Sequence, residues 1–158
     1  MRIGHGFDAH QLLMGRKFVL GGVHIPFDHG PVGHSDGDVL AHAIADALLG
    51  ACALGDLGAH FPSSDERWRD ADSLDLLARC LGMVRESGYE LGNVDATIVV
   101  EHPALAPYLR QIRDRLAEVL GASRESISVK AKTTDGMGYT GDGTGIAAYA
   151  VAVVNSKA

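Results

Sequence analysis

The stretch SDGDVLAHAIADALLGACA, residues 35–53, has the pattern of a long helix. Leu40, Ile44 and Leu48 recur at four-residue intervals, which places one apolar stripe along the side of a helix. Ser35 is followed three residues later by an aspartate, a capping pattern that precedes many helices. The helix is therefore predicted to begin at Ser35 and to end near the glycine that follows the last apolar turn.

Further strands and helices are predicted on both sides of this helix. The predicted strands are 2–10, 17–26 (a hairpin around Gly21 and Gly22), 93–100, 128–132 and 145–154, the predicted helices 73–86 and 107–120, and the predicted loops 60–72 and 135–145. The strand 93–100 ends in a continuous apolar run, which predicts burial on both of its faces. This order of elements predicts a single α+β domain in which helices pack on one face of a mixed β-sheet.

The composition is that of a globular protein. Hydrophobic residues make up 46% of the 158 residues and charged residues 22%, and the net charge is −6. The negative charge predicts no general affinity for nucleic acid or for anionic membranes. No signal peptide and no long apolar run is recognisable, so a cytoplasmic location is expected. Cys52 and Cys80 lie in apolar helical patterns and are predicted to be buried thiols.

Three side chains combine into a candidate metal site. Asp8 and His10 alternate on the first predicted strand, so both point to the same face. On the helix, His42 lies between Asp38 and Asp46 on one face, away from the apolar stripe. Asp8, His10 and His42 offer one oxygen and two nitrogen ligands with a fourth position open, as in catalytic zinc sites. The flanking carboxylates of Asp38 and Asp46 are candidates for orienting the imidazole. Taken separately, the same residues also fit a solvated strand end and an ordinary polar helix face.

Three polar segments suit an anionic substrate that carries hydroxyl groups. Ser35 at a helix N-terminus, with His34 before it, offers backbone N–H groups and a side-chain donor to a phosphate. Asp56 lies between glycines and is suited to accept hydrogen bonds from substrate hydroxyls. Residues 130–135 supply two lysines, two threonines and Asp135, a mixture typical of phosphate contacts with a carboxylate for a hard cation. Each segment taken alone is also explained by ordinary turn chemistry.

Four segments together resemble the 2-C-methyl-D-erythritol 2,4-cyclodiphosphate synthase family of the non-mevalonate isoprenoid pathway. They are HGFDAH at 5–10, HSDGDVLAHAIADALLGACALGDLGAHFP at 34–62, GNVDATIVVEHP at 92–103 and VKAKTTDGMGYTGDGTGIA at 129–147. The resemblance runs nearly from end to end and implies that residues 1–158 form one cyclodiphosphate synthase domain. It implies a phosphorus–oxygen lyase that closes 4-diphosphocytidyl-2-C-methyl-D-erythritol 2-phosphate into the cyclic diphosphate and releases CMP. It also implies a homotrimer with active sites between adjacent subunits.

The resemblance implies roles for individual residues. Asp8, His10 and His42 are implied to bind zinc, whose fourth ligand is a phosphate oxygen of the substrate. His34 and Thr133 are implied to stabilise the transition state. Residues 61–65 are implied to form a mobile cover, and 100–106 with 132–135 to hold the cytidine and its diphosphate. The implied substrate-binding residues are Asp8, Ala9, His10, His34, Ser35, Asp56, Leu57, Gly58, Phe61, Pro62, Ser63, Ser64, Asp65, Val100, Glu101, His102, Pro103, Ala104, Leu105, Ala106, Lys132, Thr133, Thr134, Asp135 and Tyr139.

Three positions depart from the pattern of the family. Asp135 stands where glutamate is usual, so a second divalent ion, Mg²⁺ or Mn²⁺, is still implied at a shorter carboxylate. Asp142 stands where many members carry arginine, which reverses the sign of the charge and argues against an anion contact there. Ala104 stands where a lysine often lies in the cytidine pocket.

Two other functions remain open on the residues alone. A zinc hydrolase acting on a phosphoester would place water in the open metal position. A non-catalytic trimer that binds isoprenoid diphosphates would use the same fold without the reaction.

Overall fold

The computed structural model describes residues 1–157, in which seven strands and five helices are joined by short loops and two 3-10 turns. In chain order the elements are β1 (Arg2–Met14), β2 (Phe18–Leu20), β3 (Val23–Ile25), β4 (His29–Pro31), α1 (Val39–Ala51), α2 (Leu57–His60), α3 (Ser73–Glu86), β5 (Tyr89–Val99), α4 (Leu109–Leu120), β6 (Ile127–Lys132), α5 (Gly138–Gly141) and β7 (Gly145–Ser156), with the 3-10 turns at Glu66–Trp68 and Arg124–Ser126.

Five strands form one mixed sheet in the order β4-β1-β7-β5-β6. The pair β5–β6 is parallel, whereas β1–β4, β1–β7 and β5–β7 are antiparallel. The strands β2 and β3 form a separate hairpin whose turn contains Gly21 and Gly22, with φ angles of +54° and +72°. Both residues adopt the left-handed region that a two-residue hairpin turn requires, so the hairpin predicted around them is confirmed.

Helices cover one face of the sheet, as predicted for an α+β fold. Along β7 the side chains of Ala148, Ala150 and Ala152 are buried, whereas those of Tyr149 and Val151 between them are exposed. This alternation is typical of a strand that faces a helical layer on one side only. No helix in residues 1–157 is long and apolar enough to cross a membrane.

Helix α1 lies at the centre of the core. All of its thirteen residues except Asp46 and Gly50 are buried, because it packs between the sheet and α3. Its approach to β1 is unusually close and depends on two glycines of that strand. A Cβ atom at Gly4 would lie 1.8 Å from the carbonyl oxygen of Ala47, and one at Gly6 would lie 1.8 Å from that of Ala43. Backbone therefore packs directly against backbone at these positions.

The prediction that this helix begins at Ser35 is wrong. The helix begins at Val39, and its N-cap is Asp38, whose Oδ1 accepts a hydrogen bond from the backbone N–H of Ala41 at 3.1 Å. The other carboxylate oxygen, Oδ2, accepts from the N–H of Gly22 in the hairpin turn at 2.8 Å. Asp38 thus caps the helix and ties it to the hairpin, and both Ser35 and His34 belong to the preceding loop.

The remaining elements agree with the predictions to different degrees. The helix 73–86 is confirmed at both ends, and both cysteines are buried. The strand predicted at 2–10 continues to Met14, because its last residues pair with β4. The prediction that the strand 93–100 is buried on both faces is wrong: β5 begins at Tyr89, and from Asn93 its side chains alternate between buried and partly exposed.

Candidate active site

Asp8, His10 and His42 meet at the contact between β1 and α1. The Oδ2 atom of Asp8 lies 2.8 Å from Nδ1 of His42 and 2.9 Å from Nε2 of His10. The two imidazole nitrogens lie 3.4 Å apart. Tetrahedral zinc with bonds of about 2.0 Å separates its ligand atoms by about 3.3 Å, so the three atoms stand close to the spacing that a zinc ion requires.

The close packing of β1 on α1 explains how residues distant in sequence reach this spacing. Gly6 contacts the backbone of Ala43, and the next inward position along the strand is Asp8. The neighbour of Ala43 on the helix is His42, so its imidazole lies level with Asp8 and His10. A Cβ atom at Gly6 would push the strand and the helix apart, and His42 would then lie too far from Asp8 and His10 for these contacts.

The electrostatics of the cluster favour a cation. Burial raises the pKa of Asp8, but the adjacent imidazole groups of His10 and His42 outweigh burial and lower the pKa to about 2. Burial lowers the pKa of His42, but the neighbouring carboxylate of Asp8 and the charges of Asp38 and Asp36 together outweigh burial and raise it. A carboxylate that is ionised at neutral pH and two imidazole nitrogens aimed at the same point are the donor set of a divalent metal ion. The residues present therefore fit a zinc ion.

The far side of the His42 ring contacts hydroxyl groups. Its Nε2 atom lies 2.8 Å from Oγ of Ser73 and 3.1 Å from Oγ of Ser35. The proposed orienting role of the two helical aspartates is wrong: Asp38 is engaged as the N-cap, and Asp46 accepts a hydrogen bond from the N–H of Leu57 at 2.7 Å. Sequence reasoning missed Ser73, because it was interpreted only as the start of the second helix.

A pocket of about 350 Å³ opens onto the three candidate ligands. Its lining consists of Asp8, His10, His34, Ser35, His42, Leu57, Gly58, Phe61, Ser63, Trp68 and Leu76. Nine of these residues were singled out from the sequence as ligands or substrate-binding residues. Trp68 and Leu76 were missed, although a lone tryptophan in an otherwise polar loop was a signal that could have drawn attention to Trp68.

The segment 61–72 forms one wall of this pocket. The ring of Phe61 packs edge-on against that of Trp68, with centroids 4.9 Å apart. Nε1 of Trp68 is buried and has no hydrogen-bond partner among residues 1–157. Nε2 of His34 lies 3.3 Å from the carbonyl oxygen of Asp65, which joins the segment to the loop before α1. Of the residues 61–65 implied to cover the substrate, Phe61 and Ser63 line the pocket, and Pro62, Ser64 and Asp65 do not.

Asp56 lies beside the pocket as the N-cap of the short helix α2. Its Oδ1 atom accepts a hydrogen bond from the N–H of Ala59 at 2.8 Å. The carboxylate is exposed, and Oδ2 accepts no hydrogen bond from the described residues. Asp56 therefore holds the backbone of Leu57 and Gly58 at the pocket while keeping an acceptor free.

The predicted cytidine-binding segments form a second cluster that does not line this pocket in the described chain. The loop after β5 packs against the end of β6 and against α5, because the N–H of Val100 donates to the carbonyl of Lys132 at 3.0 Å and that of Glu101 to the carbonyl of Thr140 at 3.2 Å. The side chains of Val100 and Leu105 are buried, so only their backbone groups can contact a ligand. His102, Pro103, Ala104 and Ala106 complete the first loop.

The loop after β6 carries exposed polar groups. Oγ1 of Thr133 lies 3.4 Å from Oδ1 of Asp135, and Asp135 has a φ of +52°. Thr134 is held by Oγ1 of Thr140 at 2.9 Å. Within one chain, the predicted catalytic residue Thr133 does not line the pocket that contains His34.

Tyr139 and Asp142 lie on the glycine-rich segment before β7. Tyr139 is exposed and lines a hollow of about 370 Å³ together with Ala9 and the candidate metal ligand His10. Asp142 accepts hydrogen bonds from the N–H and the hydroxyl of Thr144 at 2.9 and 2.6 Å, and these bonds lower its pKa. A carboxylate held in this way supports the expectation that Asp142 makes no anion contact.

The chain is similar to members of one protein family and to proteins of known structure. The YgbB family model matches residues 1–155. A 2-C-methyl-D-erythritol 2,4-cyclodiphosphate synthase from Moorella thermoacetica is 57% identical over 154 residues, which are 98% of this chain and 94% of the relative. The bifunctional IspDF from Campylobacter jejuni superimposes with a TM-score of 0.95 and 36% identity over 99% of this chain, which spans 42% of that longer protein.

A second solved structure is a 2C-methyl-D-erythritol-2,4-cyclodiphosphate synthase in a CDP-bound form. It superimposes with a TM-score of 0.90 and 34% identity, and the match covers 98% of this chain and 100% of the other. The family model, the relative and both structures match over nearly the whole length that contains the metal-capable cluster and its pocket. The chain therefore belongs to the YgbB family.

Proposed function

We propose that the chain is a 2-C-methyl-D-erythritol 2,4-cyclodiphosphate synthase of isoprenoid biosynthesis. It converts 4-diphosphocytidyl-2-C-methyl-D-erythritol 2-phosphate to 2-C-methyl-D-erythritol 2,4-cyclodiphosphate and CMP. An oxygen of the 2-phosphate forms a bond to the β-phosphorus, and the bond from that phosphorus to the bridging oxygen breaks, so that CMP leaves with the oxygen. The observation that carries the proposal is the Asp8–His10–His42 cluster at the floor of a pocket, in a chain 57% identical to such a synthase.

Asp8, His10 and His42 are proposed to hold a zinc ion. Their ligand atoms converge from β1 and α1, and the pocket lies on the side that these residues leave open. When bound, the ion supplies Lewis-acid stabilisation for the charge of a substrate phosphate. The chain itself supplies the fixed positions of the three ligands, which keep the fourth position available to the substrate.

His34 and Ser35 are proposed to bind the reacting phosphates. Both line the pocket beside the metal ligands, and both carry side-chain groups able to donate hydrogen bonds. The main barrier to the reaction is the approach of two anionic phosphates, so donors already in position lower it more than donors that must reorganise. Phe61 and Trp68 narrow the pocket and limit the access of water, which protects the transfer from hydrolysis.

The substrate's methylerythritol unit is proposed to lie against Leu57 and Gly58. These residues form the pocket wall at the start of α2. The exposed Oδ2 of Asp56 is available to a hydroxyl of the substrate. Residues 61–65 are proposed to cover the bound substrate, with Ser63 on the pocket side.

The assembly is proposed to be a homotrimer in which a neighbouring copy completes each site. Thr133 and the other residues of the cytidine cluster lie outside the pocket of the metal ligands in their own chain. The uncovered face of the sheet exposes Ile3, Phe7, Tyr149 and Val151, with exposed fractions of 39% to 64%. Such a contiguous apolar surface on two paired strands is typical of a protein–protein interface. Association through it would bring residues 100–106 and 132–135 of one copy to the metal pocket of the next.

A second divalent ion, Mg²⁺ or Mn²⁺, is proposed to bind at Asp135 together with the diphosphate of the substrate. The carboxylate is exposed on the loop after β6, next to Thr133, and hard cations prefer such oxygen ligands. Residues 1–158 are proposed to form one cyclodiphosphate synthase domain.

The proposal is tested with a His42→Ala variant and a matched control. His42→Ala is expected to lose bound zinc and the release of CMP while keeping the circular-dichroism spectrum and melting behaviour of a folded protein. His29→Ala is the control, because His29 lies on β4 and bonds only to Asp28 among the described side chains. Metal content and CMP release are measured for both variants. Turnover near the wild-type rate in a metal-stripped protein would contradict the proposed role of zinc.

The two other functions give different results in the same assay. A zinc hydrolase would release CMP from an analogue that carries a hydroxyl in place of the 2-phosphate, whereas a cyclising enzyme requires that phosphate. A non-catalytic binder would release no CMP and would retain farnesyl diphosphate in native mass spectrometry. Native mass spectrometry of the wild-type protein also gives the number of copies, and a stable monomer would contradict the proposed trimer.

A further inference from the structure

His42 is the end of a chain of hydrogen bonds that begins at the half-buried carboxylate of Asp36. Asp36 accepts a short hydrogen bond from Oγ of Ser73 through its Oδ1 atom. Its Oδ2 atom accepts from the backbone N–H of Ser73 at 3.0 Å. Oγ of Ser73 lies 2.8 Å from Nε2 of His42. We call this chain of three hydrogen-bonded residues, Asp36, Ser73 and His42, the relay.

The direction of every proton in the relay follows from its first member. An ionised carboxylate only accepts hydrogen bonds, so the hydroxyl proton of Ser73 is committed to Asp36. The oxygen of Ser73 can then only accept, so Nε2 of His42 must carry a hydrogen and donate it. Ser35 fits the same pattern as a second acceptor, since its Oγ lies 3.1 Å from Nε2. The lone pair of the neutral imidazole is therefore left on Nδ1.

Nδ1 is the nitrogen that faces the other candidate ligands. It lies 2.8 Å from Oδ2 of Asp8 and 3.4 Å from Nε2 of His10. Without the relay, the hydrogen of a neutral His42 would be drawn to Nδ1, because the carboxylate of Asp8 is an acceptor at hydrogen-bond distance. A hydrogen on Nδ1 would occupy the position that a metal ion needs.

Two members of the relay are shielded from water. Ser73 is 1% exposed and His42 is 9% exposed. The backbone of Asp36 is held as well, because its N–H donates to the carbonyl of Ala71 at 3.2 Å. Asp36 therefore links the loop before α1 to the start of α3, and both segments reach the far side of the His42 ring.

We propose that Asp36 and Ser73 are positioning residues that fix the metal-binding tautomer of His42 and thereby raise the affinity of the site for a divalent cation. This inference rests on the proposed metal site of Asp8, His10 and His42. Carboxylates that act on a metal-binding histidine through hydrogen bonds typically change metal affinity by about 10- to 100-fold. Here the effect passes through one serine hydroxyl.

The test measures the binding of Co²⁺ alone to the whole protein, by competition with a chromophoric chelator and by the visible spectrum of the bound ion. Ser73→Ala is expected to weaken Co²⁺ binding about 10- to 100-fold and to alter the spectrum. Ser73→Thr keeps the hydroxyl and is expected to restore both. Ser87→Ala is the matched control, because it removes a hydroxyl that donates to the carbonyl of Val84 at the opposite end of the same helix.

A second variant covers the case in which Ser73→Ala does not fold. Asp36→Asn keeps the size of the side chain but replaces one acceptor oxygen by a donor, so it is expected to weaken Co²⁺ binding in the same direction. Wild-type affinity and spectrum in a folded Ser73→Ala or Asp36→Asn protein would overturn the relay while leaving the metal site intact. Failure of the wild-type protein to bind Co²⁺ would instead overturn the metal site, and with it the relay.

Discussion

Replacement of Gly6 by alanine tests whether the backbone contact between β1 and α1 positions the metal ligands. The added Cβ atom would lie 1.8 Å from the carbonyl oxygen of Ala43 and 2.7 Å from the backbone nitrogen of Ala47. Both neighbours are backbone atoms of a buried helix, so neither can rotate away. The strand and the helix must therefore separate.

The size of the separation follows from the contact distances. A Cβ atom is essentially never found closer than 3.0 Å to another heavy atom, so the carbonyl oxygen must move by at least about 1.2 Å. The distance of 2.8 Å between Oδ2 of Asp8 and Nδ1 of His42 would then grow to about 4 Å, which exceeds the spacing of about 3.3 Å that tetrahedral zinc requires. Overpacking of this kind costs about 1–3 kcal/mol of the free energy of unfolding. A displacement of about 1 Å at a catalytic group costs about 100-fold in rate.

The assay compares Gly6→Ala with Gly50→Ala. Gly50 lies on α1, the helix against which Gly6 packs. Among the described atoms, a Cβ atom at Gly50 would contact only the carbonyl oxygen of His5, at an ordinary van der Waals distance of 3.8 Å. Gly50→Ala is expected to gain up to about 1 kcal/mol from helix propensity and to bind Co²⁺ normally. Gly6→Ala is expected to lower the denaturation midpoint, to bind Co²⁺ more weakly and to release CMP about 100-fold more slowly. Wild-type stability together with wild-type metal affinity in Gly6→Ala would refute the reasoning.

Three further predictions concern other groups. Burial raises the pKa of the Asp38 carboxyl to about 6, so the folded protein holds this proton more tightly than the unfolded chain does. The stability that the protonated Asp38 contributes is therefore full below about pH 4. It is lost as the pH rises through 6. The difference in unfolding free energy between the metal-free wild-type protein and Asp38→Asn is therefore expected to be larger at pH 4 than at pH 7, by on the order of 2–3 kcal/mol, and a pH-independent difference would contradict it. Asp135→Ala is expected to slow CMP release mainly at limiting Mg²⁺. The control Asp142→Ala removes a carboxylate held by Thr144 and is expected to leave the Mg²⁺ dependence of CMP release unchanged. Equal Mg²⁺ dependence in Asp135→Ala and the wild type would show that Asp135 is not part of the second metal site. Burial raises the pKa of the Cys80 thiol to about 12, so in a Cys52→Ser background a thiol reagent is expected to label Cys80 only after unfolding, and fast labelling in native buffer would show that the thiol is accessible.

Local patterns in the sequence were sufficient where packing and capping agree with periodicity. The helix 73–86 was predicted at both ends, because an aspartate before it caps the helix, leucines repeat on one face, and Gly88 follows in the left-handed region at φ +88°. The β2–β3 hairpin was predicted because a pair of glycines readily adopts the positive φ angles common in two-residue hairpin turns. The candidate metal ligands were predicted from residue type, from alternation on the strand and from spacing on the helix.

Errors arose where tertiary contacts outweigh a local pattern. Ser35 and Asp38 both suit an N-cap, and the choice falls on Asp38 because its second oxygen binds the hairpin turn at Gly22. That contact lies sixteen residues away in sequence and leaves no local signal. The role assigned to Asp38 and Asp46 failed for the same reason, since the acceptor for His42 comes from Ser73 on another helix.

The site was less predictable than the fold because its parts come from many segments. The resemblance to a family placed the residues 100–106 and 132–135 at the substrate, but one chain keeps them apart from the metal pocket. Trp68 and Leu76 line the pocket only because the polar segment 61–72 folds back over it, and no periodicity in that segment indicates this course.

The position of Trp68 gives the protein a built-in optical probe. The chain contains one tryptophan, and that residue lies in the wall of the pocket, in edge-on contact with Phe61. All indole fluorescence of the molecule therefore originates within a few side chains of the candidate metal ligands. Filling of the pocket or movement of the segment around it will alter the emission directly, so binding can be followed in real time without a label and without turnover.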